Sequence, residues 1–131
     1  MSTPLRRLER PLLATGLALA LALGAQSSAA AQGTVPPCPD ESRPEIGGTI
    51  NADTMNGTPD PDRINARGGD DIVNGLQGDD CLLGGDGFDE IQGGAGRDSI
   101  AGESGPDDLS GGADRDRIFG GQGFDFLSGG L

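Results

Sequence analysis

The sequence predicts an all-β solenoid, a stack of very short strands joined by tight turns. Three observations predict it. From Gly48 onward the chain keeps a nine-residue period with no insertion over 84 residues, and self-similarity at a fixed period marks a repeat architecture. The sixth place of every unit is Asp and the eighth is apolar. The fourth is always Gly, Asn or Asp, the residue types that enter positive φ most readily.

The first element stands apart from this pattern. Arg6, Arg7 and Arg10 precede the apolar run LLATGLALALALGA (12–25), and Ala29-Ala30-Ala31 then precede Gln32. A run this short falls below the roughly 20 residues of a membrane span. A positive region, a short apolar core and a small-residue exit read together as a secretory signal peptide, residues 1–31. Glu9 and Arg10 follow Arg6-Arg7 where a twin-arginine signal wants an apolar residue, so the ordinary export route is expected. The mature protein is therefore expected outside the cell, free or held at the cell surface, with no membrane span.

Losing three arginines and one glutamate with that segment takes the net charge from −12 to −14. Such acidity repels nucleic acid and anionic lipid and attracts cations. The chain also has no His and no Lys. That removes the commonest general base, the usual zinc nitrogen ligand and Schiff-base chemistry. No catalytic residue is expected, and the chain does not read as an enzyme.

Residues 32–47, QGTVPPCPDESRPEIG, hold four prolines and read as an extended arm without helix or strand pattern. Cys38 lies in this arm and Cys81 in the fourth repeat unit. In an oxidising compartment an even pair favours one disulfide over two free thiols. Cys81 occupies a seventh place, which should face outward, so a bridge would lash the arm over the outer face of that unit.

Residues 48–131 are the repeat: GTINADTMN, GTPDPDRIN, ARGGDDIVN, GLQGDDCLL, GGDGFDEIQ, GGAGRDSIA, GESGPDDLS, GGADRDRIF, GGQGFDFLS and a final GGL. Places seven to nine read as a three-residue strand and places one to six as the turn. One apolar residue per nine does not close a core alone, so strands must stack. With two units per coil, Met55, Val73, Ile91, Leu109 and Leu127 line one sheet, and Ile64, Leu82, Ile100 and Ile118 the other. Glycine holds the first place in every unit but the third, where Ala66 stands. In the fourth column Asn51, Asp60 and Asp114 replace glycine and are expected to keep its left-handed turn.

These units resemble the RTX-type (hemolysin-type) nonapeptide G-G-x-G-x-D-x-U-x. GGDGFDEIQ, GGAGRDSIA and GGQGFDFLS match it at every fixed place. The resemblance implies a right-handed parallel β-roll of nine units with calcium held between a turn and the next turn on the same side. Carried onto this chain, the metal residues are Asp53, Asp62, Asp71, Asp80, Asp89, Asp98, Asp107, Asp116 and Asp125. The turn glycines of the three full matches are Gly84, Gly85, Gly87, Gly93, Gly94, Gly96, Gly120, Gly121 and Gly123. Pairing each Asp with the one 18 residues on gives up to seven sites, those at Asp89 and Asp98 expected to be the best formed. Two turns depart from the pattern: ARGGDD brings the charge of Arg67 beside its site, and GGADRD lacks the fourth-place glycine.

The chemistry accords with that implication. Calcium takes six to eight oxygens from carboxylates and carbonyls, and glycine turns leave carbonyls free to point inward. Stacked carboxylates repel one another without a cation, so the metal-free repeat is expected to be largely disordered. The expectation is a secreted bacterial calcium-binding repeat protein that folds as it binds several ions outside the cell. The alternative is a calcium-rigidified adhesion or self-assembly module at the cell surface. Neither a catalytic domain nor a C-terminal export signal is expected with these repeats, and the third places carry no row of Thr such as an ice-binding relative would present. Phe119, Phe124, Phe126 and Leu131 gather in the last units. Three readings stand: they cover the last coil themselves, that coil associates with another chain, or the sequence is one piece of a longer design.

Overall fold

Units two apart in sequence stack directly on one another, and this single relationship builds the molecule. The structure, a computed structural model, describes Cys38, Asp40 and residues 42–131. The expected signal peptide and most of the arm lie outside the described residues. One sheet holds β1 (Ile46–Gly47), β3 (Arg63–Gly68), β5 (Cys81–Asp86), β7 (Ser99–Ser104) and β9 (Arg117–Gln122) in that order. The other holds β2 (Thr54–Asn56), β4 (Ile72–Gln77), β6 (Glu90–Ala95), β8 (Asp108–Ala113) and β10 (Phe126–Ser128). All neighbours pair in parallel. Successive strands alternate between the sheets, so two units complete a coil of a parallel β-solenoid. No helix occurs among the described residues.

The register follows the eighth column. Met55 pairs Val73, Val73 pairs Ile91, Ile91 pairs Leu109 and Leu109 pairs Leu127. On the facing sheet Ile64, Leu82, Ile100 and Ile118 align in the same way. These two files meet as the core, with Ala66 beside them, and most of their members are sealed from solvent. A strand buried on one face alternates inward and outward, which is why one apolar residue per unit suffices once coils stack. The last coil is open: Leu127 is half exposed, and Phe119, Phe124, Phe126 and Leu131 all face solvent. The reading in which the phenylalanines cover that coil is thereby corrected. They occupy fifth, seventh and ninth places, which flank the inward eighth place and leave it bare.

Three further expectations need correction. Strands β3 to β9 run for six residues, from a seventh place to the third place of the following unit. The ladder skips the first place and resumes, as where Leu76 pairs Gly94 and Gln77 pairs Ala95. The turn proper is thus only places four to six. Residues 32–47 are also not wholly irregular, because Ile46 pairs Ile64 in β1. Stepping the eighth column back nine residues from Met55 would have found it. Finally, Asp114 does adopt a left-handed fourth place (φ 84°), but Asn51 and Asp60 do not. Threonine side chains shape those two turns instead.

Cys38 and Cys81 are joined as a disulfide with their Cα atoms 5.5 Å apart. Cys81 is almost fully buried although its place in β5 faces outward. Near this bridge, Glu45 pairs with Arg63 at 3.3 Å and with Arg67 at 3.6 Å. Arg67 also donates to the carbonyl of Gly48. Its charge is therefore spent on the N-terminal coil rather than on the turn that contains it.

Candidate metal centre

Each sixth-place Asp closes a turn; from Asp71 to Asp107 its backbone is tied to the following coil and its side chain to the preceding one. The amide of Asp53 donates to Oδ1 of Asp71 at 2.7 Å, and the same bond recurs from Asp62 to Asp80 and from Asp71 to Asp89. It continues from Asp80 to Asp98, Asp89 to Asp107, Asp98 to Asp116 and Asp107 to Asp125. The structure thus brings together all seven pairs spaced 18 residues apart, in two files along the two edges of the solenoid. The Asp carbonyls are engaged as well, accepting the amide 19 residues on, as Asp80 does from Ser99.

This arrangement satisfies one carboxylate oxygen and strands the other. Oδ2 of Asp71, Asp80, Asp89, Asp98, Asp107 and Asp116 is buried and has no hydrogen-bond partner. A buried carboxylate oxygen left unpaired is costly, and six in a repeating series mark a built feature. Around five of them, all but Asp71, whose unit has Ala66 in the first place, lies space that the first-place glycine leaves empty. A Cβ at Gly75 would lie 2.6 Å from Asp80 Oδ2 and 2.5 Å from the carbonyl oxygen of Gly93. One at Gly93 would run into Asp98 Oδ2 and lie 2.6 Å from the carbonyl oxygen of Gly111. A carboxylate of one turn and a carbonyl of the turn above therefore converge on a cradle with no side chain in it.

The backbone around the cradle is specialised. Gly87, Gly96 and Gly123 hold the fourth place in the left-handed region, and Gly85, Gly94 and Gly121 hold the second. The remaining three expected glycines, Gly84, Gly93 and Gly120, are the first-place residues whose missing Cβ leaves room for Oδ2. The second place is a requirement the sequence reading missed. Arg67, Leu76 and Glu103 adopt positive φ there despite carrying side chains, a strained choice for such residues. The fourth column advertised its conformation through Gly, Asn and Asp, whereas the second column did not.

Electrostatics point the same way. The Asp80 carboxyl is pushed up to about 7 by burial, with the charges of Asp98 and Asp62 adding to it. Burial likewise pushes Asp89 and Asp98 up to about 6, with neighbouring aspartates contributing, and raises Asp107. By contrast Asp79, outside the files, is held below the usual carboxylate range by the backbone amide and guanidinium of Arg97. A file of such carboxylates resists ionisation and calls for positive charge.

The donor set is all oxygen, one carboxylate per turn plus backbone carbonyls, which suits a hard dication such as calcium. Among the described residues no three His, Cys, Asp or Glu side chains gather in one place, so carbonyls must supply most of any coordination shell. The orphaned oxygens and the empty glycine cradles fit such an ion. Asp53 and Asp62 differ from the rest, since their Oδ2 atoms are bonded by Thr49 and Thr58. Nothing in the sixth column foretold this; the signal lay in the second column, in GTIN and GTPD.

Comparison with known proteins agrees with this geometry. A family model for the RTX calcium-binding nonapeptide repeat matches in four copies, over residues 47–82, 75–109, 83–117 and 110–131. No curated protein and no solved structure matches the chain.

Proposed function

Because the chain belongs to the RTX calcium-binding nonapeptide repeat family, we propose that it is a secreted, non-catalytic protein whose repeat orders as it takes up several calcium ions outside the cell. The observation that carries this reading is the series of six buried Asp Oδ2 atoms without partners, five of them beside a glycine cradle. Asp71, Asp80, Asp89, Asp98, Asp107 and Asp116 are the residues that would hold the ions, together with carbonyls of the glycine turns. Bound calcium supplies the positive charge that offsets burial and mutual repulsion of the files. The chain's own part is to set the oxygens: the amide–Oδ1 ladder fixes each carboxylate, and the left-handed second and fourth places steer the carbonyls. Export of an unfolded chain into a calcium-rich space accords with the signal-like residues 1–31 and with linkage of metal binding to folding.

Circular dichroism of the mature chain during a calcium titration tests the reading. The expected outcome is a disordered spectrum in chelator that gains β signal with millimolar calcium. A spectrum indifferent to calcium overturns it. A second reading, a calcium-rigidified adhesion or self-assembly module, draws on the open last coil with its exposed Phe119, Phe124, Phe126 and Leu127. Such an apolar patch beside unpaired strand edges invites association. Sizing chromatography separates the two, because only the second expects dimers or larger species that appear with calcium.

A further inference from the structure

The nine turns fall into two classes, and the boundary between them is sharp. From the third unit on, every second and fourth place has positive φ; in the first two units neither place does. The same boundary separates the carboxylates. In the first unit the Thr49 amide donates to Asp53 Oδ2 at 2.6 Å and the Thr49 hydroxyl donates to the same oxygen at 2.8 Å. In the second the Thr58 amide and hydroxyl grip Asp62 Oδ2 at 2.5 and 3.0 Å. Each hydroxyl also accepts the fourth-place amide, of Asn51 or Asp60, which folds the turn without a left-handed residue. A threonine that binds a carboxylate through both its amide and its hydroxyl gives that oxygen the partners it lacks in the later turns.

From this division we infer that the first coil is a metal-independent cap: Thr49 and Thr58 replace the ion at Asp53 and Asp62, and calcium uptake begins at Asp71. The inference rests on the calcium reading above and sharpens it, assigning which turns take an ion. Independent ties hold the same coil. Glu45 bridges Arg63 and Arg67, Arg67 reaches the Gly48 carbonyl, and the Cys38–Cys81 disulfide anchors the chain just before it to β5. The cap thus offers a preformed edge, Asp53 and Asp62 presenting their amides to Oδ1 of Asp71 and Asp80. The first two calcium turns are built against that edge, and ordering proceeds from there toward the C-terminus.

The test is the number of calcium ions per oxidised mature chain, counted by native mass spectrometry and equilibrium dialysis. Asp62→Asn keeps the full count, whereas Asp98→Asn loses at least one ion. Thr58→Gly, which restores the glycine that the calcium turns prefer, gains one ion, and Thr58→Ser behaves as the parent chain. Loss of an ion in Asp62→Asn, or no gain in Thr58→Gly, overturns the cap while leaving calcium binding intact. Should Asp62→Asn misfold, Thr58→Gly and Thr58→Ser still decide. A parent chain that binds no calcium at all defeats the underlying reading instead, so the two failures are distinguishable.

Discussion

The amide of Asp80 donates to Oδ1 of Asp98 at 2.9 Å, and the second oxygen of Asp98 is buried with no partner. One residue thereby locks two coils together and holds a negative oxygen ready in an emptied cradle. Asp98→Asn keeps the shape but removes the charge. Calcium titration should show at least one ion fewer and a midpoint raised several-fold, while Asp108→Asn, on the exposed seventh place of β8, leaves both unchanged.

The pH response has opposite signs for the metal-free and metal-bound forms. Burial lifts Asp80 from 3.8 to about 7, and Asp89 and Asp98 to about 6. The fold then binds more protons than the unfolded chain, so its metal-free stability is greatest in acid and is lost as pH rises through 6 to 7. Circular dichroism without calcium should show β signal increasing from pH 8 to pH 5. Calcium affinity should move the other way. At the Asp80 site it weakens roughly tenfold from pH 8 to pH 6, as proton competition at a carboxyl near 7 requires.

At Gly96 glycine is required by space as well as by φ. Gly96 sits at φ +128°, and a Cβ there would run into the Gly78 carbonyl. Gly96→Ala should lower the stability of the calcium-loaded form by about 2 kcal/mol or more. Gly129, with nothing within 4 Å of its would-be Cβ, is the matched control. Urea unfolding of the two variants should separate them clearly.

Removing the disulfide by Cys38→Ser with Cys81→Ser opens a loop whose ends are 43 residues apart. The expected loss is about 2–4 kcal/mol, read as a lower denaturant midpoint in saturating calcium. Reductant on the parent chain should reproduce it.

Core truncation should be graded along the stack. Ile91 is 1% exposed and Leu127 is 50% exposed on the same file. Ile91→Ala is expected to cost about 2–5 kcal/mol by leaving a cavity between sealed coils. Leu127→Ala, half in water already, should cost less than about 1 kcal/mol by the area it still buries. Thermal unfolding of both variants in calcium checks the order.

Much of this molecule is legible in its sequence because every unit meets nearly the same neighbours. The eighth column named the core file by file, and an 18-residue step named the Asp partners. Repetition made local pattern and tertiary contact the same information. Legibility failed where units differ. Ile46 was missed because its unit lacks the Asp and glycines, though it keeps the apolar eighth place. Asn51 and Asp60 were misread because a residue able to adopt positive φ need not do so when a threonine two places earlier holds the turn.

The sequence by itself determined the period, the inward files and the stacking of turns two units apart, since hydrophobic spacing and a strict Asp phase leave few other ways to bury one apolar residue in nine. Only the tertiary structure decided which carboxylate oxygens are spoken for. Nine aspartates look alike in a column. Whether an Oδ2 meets a threonine hydroxyl, open solvent or an empty glycine cradle depends on the backbone path of the turn and on the coil stacked above it. That competition between a protein donor and a cation for one oxygen exists only once the coils are in place.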